Sequence, residues 1–314
     1  MLGCKATCRG GLGTALAWVG WVLCVAIQAA LGAAPGPSAP APSGVAAAAS
    51  PVQPATPPSR LAERVGLLAP NAAPAQLQAG DPKEHPLMPA LRWARDGLVQ
   101  AEKIADYSAT LVKRERIDGK LAEQEFLFIK IRHRPFSVYL RFDSPASLKG
   151  QEVLYVDGAN EGKMWAHGVG IQRTLFKTVS LRPDGPIAMR GERYPITEIG
   201  LLNLTHRLIE VAEQDIKYGE CEVKFFKGAK INDRVCTCTQ AIHPVPRRNF
   251  LFHVARIFVD DELNLPIRYE SYDWPKKEGG APELLEEYTY LNLKLNNGFT
   301  DADFDVHNTS YHFP

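Results

Sequence analysis

An excess of charge of one sign is missing from this 314-residue chain: 36 Lys and Arg against 35 Asp and Glu leave a formal net charge of +1. A nucleic-acid protein carries a basic excess or stripe, so the balance argues against that class. The short motifs of catalysis are missing too. The eight histidines form no His-x-x-x-His pair, and there is no Gly-x-Ser-x-Gly elbow, phosphate loop or dinucleotide fingerprint. No repeat is evident, and strand and helix do not alternate as a parallel sheet requires. Beyond Cys4, Cys8 and Cys24, only Cys221, Cys236 and Cys238 remain, an odd number that excludes a complete disulfide framework. Cys236 and Cys238 share one strand face. A turn at Asn232-Asp233 sets Cys236 opposite Ala229 and leaves Cys221 distant. A turn at Ala229-Lys230 would instead set Cys221 opposite Cys238 and permit a disulfide. A Cys-x-Cys metal site would have only His243 nearby as a further ligand, so neither metal nor cofactor is expected.

What is present begins at the N-terminus. Lys5 and Arg9 precede the uncharged run at 13–34, which ends in Gly32, Ala33 and Ala34. A basic start, an apolar run and small residues read as a signal peptide. The run is also long enough to span a bilayer, so residues 1–34 are expected to be a signal peptide or a signal anchor, the anchor using 14–34. Half of the chain's 24 prolines fall in 35–86 among alanines. Such a tract buries too little apolar surface to offset the entropy of ordering it and is expected to be a disordered tether.

From residue 87 to 314 the pattern is globular. Leu87, Leu91, Ala94, Leu98, Ala101 and Ala105 recur at helical spacing, with Pro89 in the first turn. Strands follow: one to a hairpin at Asp118-Gly119, one ending at Pro135, and a clean alternation of Phe136, Val138, Leu140 and Phe142. "QEVLYVDG" and "GKMWAH" form another hairpin, and 171–180 adds one or two strands. A loop at 181–195 leads to a second helix with Thr197 as N-cap and Leu201, Leu204, Leu208 and Val211 as its stripe. Strands return at 218–231, 234–243, 249–260, 265–273 and 285–295. The expected class is α+β, mostly antiparallel β: a strongly curved half-barrel of about ten or eleven strands with two or three helices on its concave face.

The acidic cluster in "IFVDDELNLPIRYESYDWP" invites a metal or acid/base reading. Asp260, Glu262 and Asn264 fit positions 1, 3 and 5 of a calcium loop. Leu265 then stands where glycine is required, and Ser271 where a bidentate Glu is required. Asp260 and Asp261 are adjacent on a strand end and face opposite ways. A turn between strands is the better reading, and no catalytic residue is assigned. The basic segments at 131–135 and 188–193 and "HPVPRRNF" read as solvated faces, the other option being contact with an anionic headgroup.

"VDDELNLPIRYESYDW" resembles a recurring unit of the LolA/LolB/RseB-like lipoprotein-sorting superfamily: a strand ending in Asp, a short turn, then Leu-Pro opening the next strand. "EEYTYLNLKLNNGFTDADFD" is similar to that superfamily's closing strand, and "LFIKIRHRPFSVYLRF" to its early hairpin. Within the superfamily the chain looks closest to a bacterial family, domain of unknown function fifteen seventy-one, over roughly residues 87–314. The resemblance implies a half-barrel with an apolar concavity that, in characterised relatives, takes lipoprotein acyl chains or senses envelope components.

The function expected is therefore that of an exported periplasmic or cell-envelope protein, not an enzyme, holding a lipid, lipoprotein acyl chain or other apolar ligand. Inward strand positions nominate Leu127, Ile129, Val138, Leu140, Trp165, Phe250 and Phe252 as its lining. The alternative is a structural or sensory module with a filled concavity and an envelope protein as partner. A hydrolase of envelope material has no paired motif behind it.

Overall fold

The computed structural model describes residues 83–169 and 178–313. The expected signal or anchor at 1–34, nearly all of the tether at 35–86, and any strand within 171–177 lie outside the described residues. Among the described residues, no helix is long and apolar enough to cross a membrane.

Twelve strands and two α-helices make up the described chain. In order they are α1 (Met88–Ala101), β1 (Asp106–Ile117), β2 (Lys120–Leu121), β3 (Glu125–His133), β4 (Phe136–Ser144), β5 (Glu152–Val156), β6 (Met164–His167), β7 (Val179–Leu181), α2 (Leu201–Asp215), β8 (Glu222–Ile231), β9 (Arg234–Ile242), β10 (Val254–Asp260), β11 (Pro266–Asp273) and β12 (Glu283–Leu295). All pairings are antiparallel, in the order β7-β6-β5-β4-β3-β1-β12-β11-β10-β9-β8, with β2 beside β1. The sheet is two meanders joined where β12 pairs with β1. Turn chemistry sets the registers: Asp118 and Gly119 both take positive φ at the tip of β1, and Asn232 does so between β8 and β9.

This order places β7 at one edge and β8 at the other, so residues 182–221 must cross the sheet, carrying α2 over one face. That face collects Tyr107, Ala109 and Leu111 of β1, Leu127, Ile129 and Ile131 of β3, and Val138 and Leu140 of β4 beneath Leu201 of α2. Burying such a side chain contributes about 1.5–3 kcal/mol, so this layer is the main apolar reason for the fold. α1 packs beside α2. A Cβ on Gly97 would lie 2.8 Å from the Asn264 carbonyl oxygen, so only glycine lets α1 seat against the β10–β11 turn. The opposite face carries a second cluster: Tyr139, Leu154 and Trp165 under Phe304, Tyr311 and Phe313 of the C-terminal segment.

Three local expectations are corrected. α2 starts at Leu201, not after Thr197, which lies in a separate 3-10 turn at Ile196–Glu198. The cause is tertiary: Gly200 takes a φ of 113°, and the Leu201 N–H donates to the Tyr107 hydroxyl at 2.8 Å in place of a side-chain cap. α1 ends at Ala101 and buries Trp93 and Gly97, which are outside the expected stripe. Residues 249–253 form a loop, not the start of a strand, because Phe250 stacks on His243 (ring centroids 3.8 Å apart) after Pro244 and Pro246 have ended the ladder.

Candidate functional site

The seven nominated lining residues do not form one surface. Leu127, Ile129, Val138 and Leu140 share the helix-covered layer, and the first three are 0–1% exposed. Contact at that level leaves no room for a water beside them while α2 is in place. Trp165 is on the other face: it pairs with Leu154, which pairs with Tyr139, and Tyr139 alternates with Val138 and Leu140. It is packed by the C-terminal segment, through Phe304, Tyr311 and Phe313. Phe250 and Phe252 belong to the β9–β10 loop, where Phe252 joins a third cluster with Leu87, Cys221, Ala241 and Ala255.

α2 covers the apolar layer but sits shallowly on it. Of its residues only Leu201, Thr205 and Asp215 are buried, while Leu202, Leu204, Leu208, Ile209 and Val211 are half-buried. At its C-terminal end, Asp215 Oδ2 lies 3.4 Å from His243 Nε2, and both side chains are buried. Burial pushes the Asp215 carboxyl up to about 6 and lowers the His243 imidazolium.

The preceding loop is held by a polar cluster that the sequence reading missed. Registers place Lys113 and Glu115 of β1 on the α2 side of the sheet with Glu125, Tyr288, Glu286, Tyr269 and Ser271. Lys113 bonds Glu192 and lies 3.2 Å from Glu125. The Arg193 side chain bonds Glu286 at 3.1 Å, and its backbone N–H donates to Glu115 at 3.1 Å. Tyr288 donates its hydroxyl to Glu115 and stands 3.3 Å from Glu286, which also accepts from Ser271 at 3.0 Å. Two cations thus meet four carboxyls, with Lys113, Glu115 and Glu286 buried and Glu192 and Arg193 partly exposed at the loop. Burial raises Glu192 to about 7, with Glu115 adding to the rise and Lys113 opposing it. Burial alone would lower the Lys113 ammonium, but Glu192, Glu115 and Glu125 together hold it above its ordinary value. One ammonium cannot neutralise three carboxyls, so the lysine stays charged and a carboxyl takes the proton. A signal was available: in "LVKRERI" Lys113 and Glu115 continue the face that Leu111 opens, so charge falls on the apolar side of the strand.

The opposite face holds a paired network in which Arg268 bonds Glu270 at 2.6 Å and Glu287 at 2.7 Å, and Arg256 bonds Glu270 at 3.1 Å. Both carboxylates of that network, Glu270 and Glu287, are engaged by guanidinium groups, an arrangement that fixes the strands. The acidic turn behaves likewise. Asp260 accepts from Arg234 and from the N–H groups of Glu262 (3.0 Å) and Leu263 (2.9 Å), with Asn264 at positive φ. A cavity of about 210 Å³ beside it is lined by Ile231, Arg234, Asp260, Ile267 and Tyr290. That is below the roughly 300 Å³ at which small-ligand pockets begin. Among the described residues no three His, Cys, Asp or Glu are grouped to hold a metal.

Cys221, Cys236 and Cys238 are free and buried, with Cys236 opposite Ala229 as the Asn232-Asp233 turn requires. Burial pushes the Cys221 and Cys236 thiols up to about 12, where they are inert.

Similar solved structures include lipoprotein LppX of Mycobacterium tuberculosis (12% identity, 69% of this chain and 100% of that one, TM-score 0.40). Others are a LolA superfamily protein of Nitrosomonas europaea (12%, 68% and 97%, TM-score 0.27) and a DUF1329 family protein of Desulfovibrio piger (14%, 71% and 98%, TM-score 0.34). No curated protein matches the chain. The model of a family described as "Protein of unknown function (DUF1571)" matches residues 104–313, inside the span expected from the strand and turn motifs, and the chain belongs to that family.

Proposed function

We propose that the protein is an exported, non-catalytic binding protein of the cell envelope. It takes an apolar ligand, a lipid or a lipoprotein acyl chain, onto the sheet face beneath α2. The observation that carries this reading is the mismatch between the two partners of that layer. The sheet side is apolar and close-packed at Leu127, Ile129 and Val138, where Ala188, Ile196 and Ile199 of the crossover pack on the same cluster as Leu201, whereas α2 is only half-buried at Leu202, Leu204, Leu208, Ile209 and Val211. An acyl chain recovers about 0.8 kcal/mol per buried methylene, so a dozen methylenes compete with a shallow helix. Export is supported by the basic start and uncharged run of the sequence. Lining residues are then Leu127, Ile129, Val138 and Leu140, with Trp165, Phe250 and Phe252 outside the binding layer.

The test is native mass spectrometry of protein purified without detergent, followed by titration with a fluorescent fatty acid. A co-purified lipid mass, or probe uptake displaced by lipid, supports the proposal. An empty protein that takes up no probe refutes it. The same 0–1% exposures favour a second reading, in which α2 fills the concavity permanently and the outer surface serves a protein partner. The failed uptake is that reading's expected result.

A further inference from the structure

The α2–β8 link, the β9–β10 loop and the β11–β12 loop meet at one end of the sheet. The middle one holds the basic segment "HPVPRRNF". Tyr218 packs edge-on against Phe250 at 5.9 Å, and the Trp274 indole N–H donates to the His243 carbonyl at 3.0 Å, so the three tips form one surface. That surface leaves large apolar side chains about half or more exposed: Tyr218 is 48% exposed, Val245 50% and Leu251 58%. Three of the six large hydrophobic residues exposed in the described chain are here.

Between them the β9–β10 loop carries Arg247 and Arg248 and no acid from Pro244 to Phe252. Lys217 is exposed beside it. Glu220 neutralises part of this charge through Arg247, at 2.6 Å. The β11–β12 loop contributes Lys276 and Lys277, offset by Glu278, by exposed Asp273 beside it and by Glu283, which pairs with Lys276, and exposed Glu222 opens β8 at the same end. The net positive charge is therefore concentrated on the β9–β10 loop, next to its two exposed aliphatic residues. The base of that loop is rigid, since His243 is clamped between Phe250 and Phe252 and its carbonyl accepts a further bond from His253 at 2.8 Å.

The chain also enters the domain at this end. Leu87, at the start of α1, is buried against Phe252 and Cys221. Whatever precedes residue 83 is thus joined beside these tips.

We infer that this end of the sheet docks on an anionic lipid bilayer. Val245, Leu251 and Tyr218 enter the headgroup boundary, and Arg247, Arg248 and Lys217 meet lipid phosphates. Aliphatic and aromatic tips ringed by cations on a rigid base are what an interfacial contact requires. The surface is separate from the layer beneath α2, so the inference does not depend on that layer binding lipid.

The experiment is hydrogen exchange of the full chain in three states: on phosphatidylglycerol nanodiscs, on phosphatidylcholine nanodiscs, and without a bilayer. Amides of residues 245–252 are expected to exchange at least tenfold more slowly on phosphatidylglycerol than in the other two states. R247Q/R248Q is expected to remove the difference while amides of β3 and β10 keep their wild-type protection, which verifies folding. Equal exchange on the two lipids, or protection that survives R247Q/R248Q, overturns the inference. Protection already present without a bilayer overturns it as well and assigns the surface to a second copy or to the chain's own first 82 residues.

Discussion

Removing the Tyr107 hydroxyl separates the displaceable helix from the permanent one. That oxygen accepts the Leu201 N–H at 2.8 Å, deep under the start of α2, which has no side-chain cap. Tyr107→Phe keeps the ring and its edge contacts with His133 and Tyr290, at 6.0 and 6.4 Å, and deletes one acceptor. A buried N–H left unpaired costs about 1–3 kcal/mol. If α2 opens as a unit, its opening equilibrium rises roughly 5- to 150-fold, and amides from Thr205 to Val211 exchange faster by that factor. Strand amides of β3 and β4 are read alongside as the reference for global unfolding. Acceleration of α2 beyond that of β3 is the expected result. Equal acceleration of helix and strands, or none in the helix, refutes the idea of an independently opening cover. Fatty-acid uptake then decides function: a cover that gates the site raises uptake in the variant. Faster helix exchange with unchanged uptake would show that the layer beneath α2 is not the ligand site.

Two further outcomes follow from the charged groups. Burial acts to raise Asp260, but Arg234 and the N–H groups of Leu263 and Glu262 outweigh it and hold its carboxyl below the ordinary value of 3.8. Its stabilisation is present above about pH 4 and is lost as pH falls through the lower, folded value. Asp260→Asn should cost about 1.5–3 kcal/mol in urea unfolding at pH 7 and flatten the acid limb; parallel acid limbs would disprove it. Glu192 shifts the other way, from 4.5 to about 7. Its contribution is complete below pH 4.5 and fades as pH rises through 7. Glu192→Gln should remove that slope from thermal melts taken between pH 4.5 and 8, and an unchanged slope would count against the buried cluster.

Strands were legible where local chemistry decides them. Asp118-Gly119 and Asn232-Asp233 force tight turns, and alternation in 136–142 shows which residues share a face. The acidic stretch was legible for the same reason: Asp260 bonds backbone two and three residues on, a local event. What was not legible depends on contacts distant in sequence. The start of α2 is set by a hydroxyl on β1, and the face of Trp165 by aromatic residues after the last strand. Phe250 and Phe252 alternate as a strand would, yet stacking on His243 holds them in a loop. Alternation reports that a residue is buried, not which of two covered faces buries it.

The crossover that builds the cover also determines how it can move. Residues 182–200 join β7 to α2, and only residues 216–221 join α2 to β8. Fully extended, the first segment reaches roughly 60 Å and the second about 20 Å. The short side is also the anchored one, since Asp215 is buried against His243 and Ile216 packs with Cys221 and Phe252. The long side is held by polar contacts, Lys113 to Glu192, Arg193 to Glu286 and Tyr107 to Leu201, and by Ile196, Ile199, Leu201, Leu202 and Leu204 packed on the main apolar cluster. If α2 opens, the short link makes its C-terminal end the hinge, and the N-terminal end is the one free to lift. Lifting there uncovers Ile131, Val138 and Tyr107, the closest-packed part of the apolar layer. Tyr107 therefore stands at the latch, not at the hinge. A cut at the hinge, such as Asp215→Ala, should loosen the third cluster without exposing that layer, so faster exchange at Val211–Ile216 would come with no gain in fatty-acid uptake.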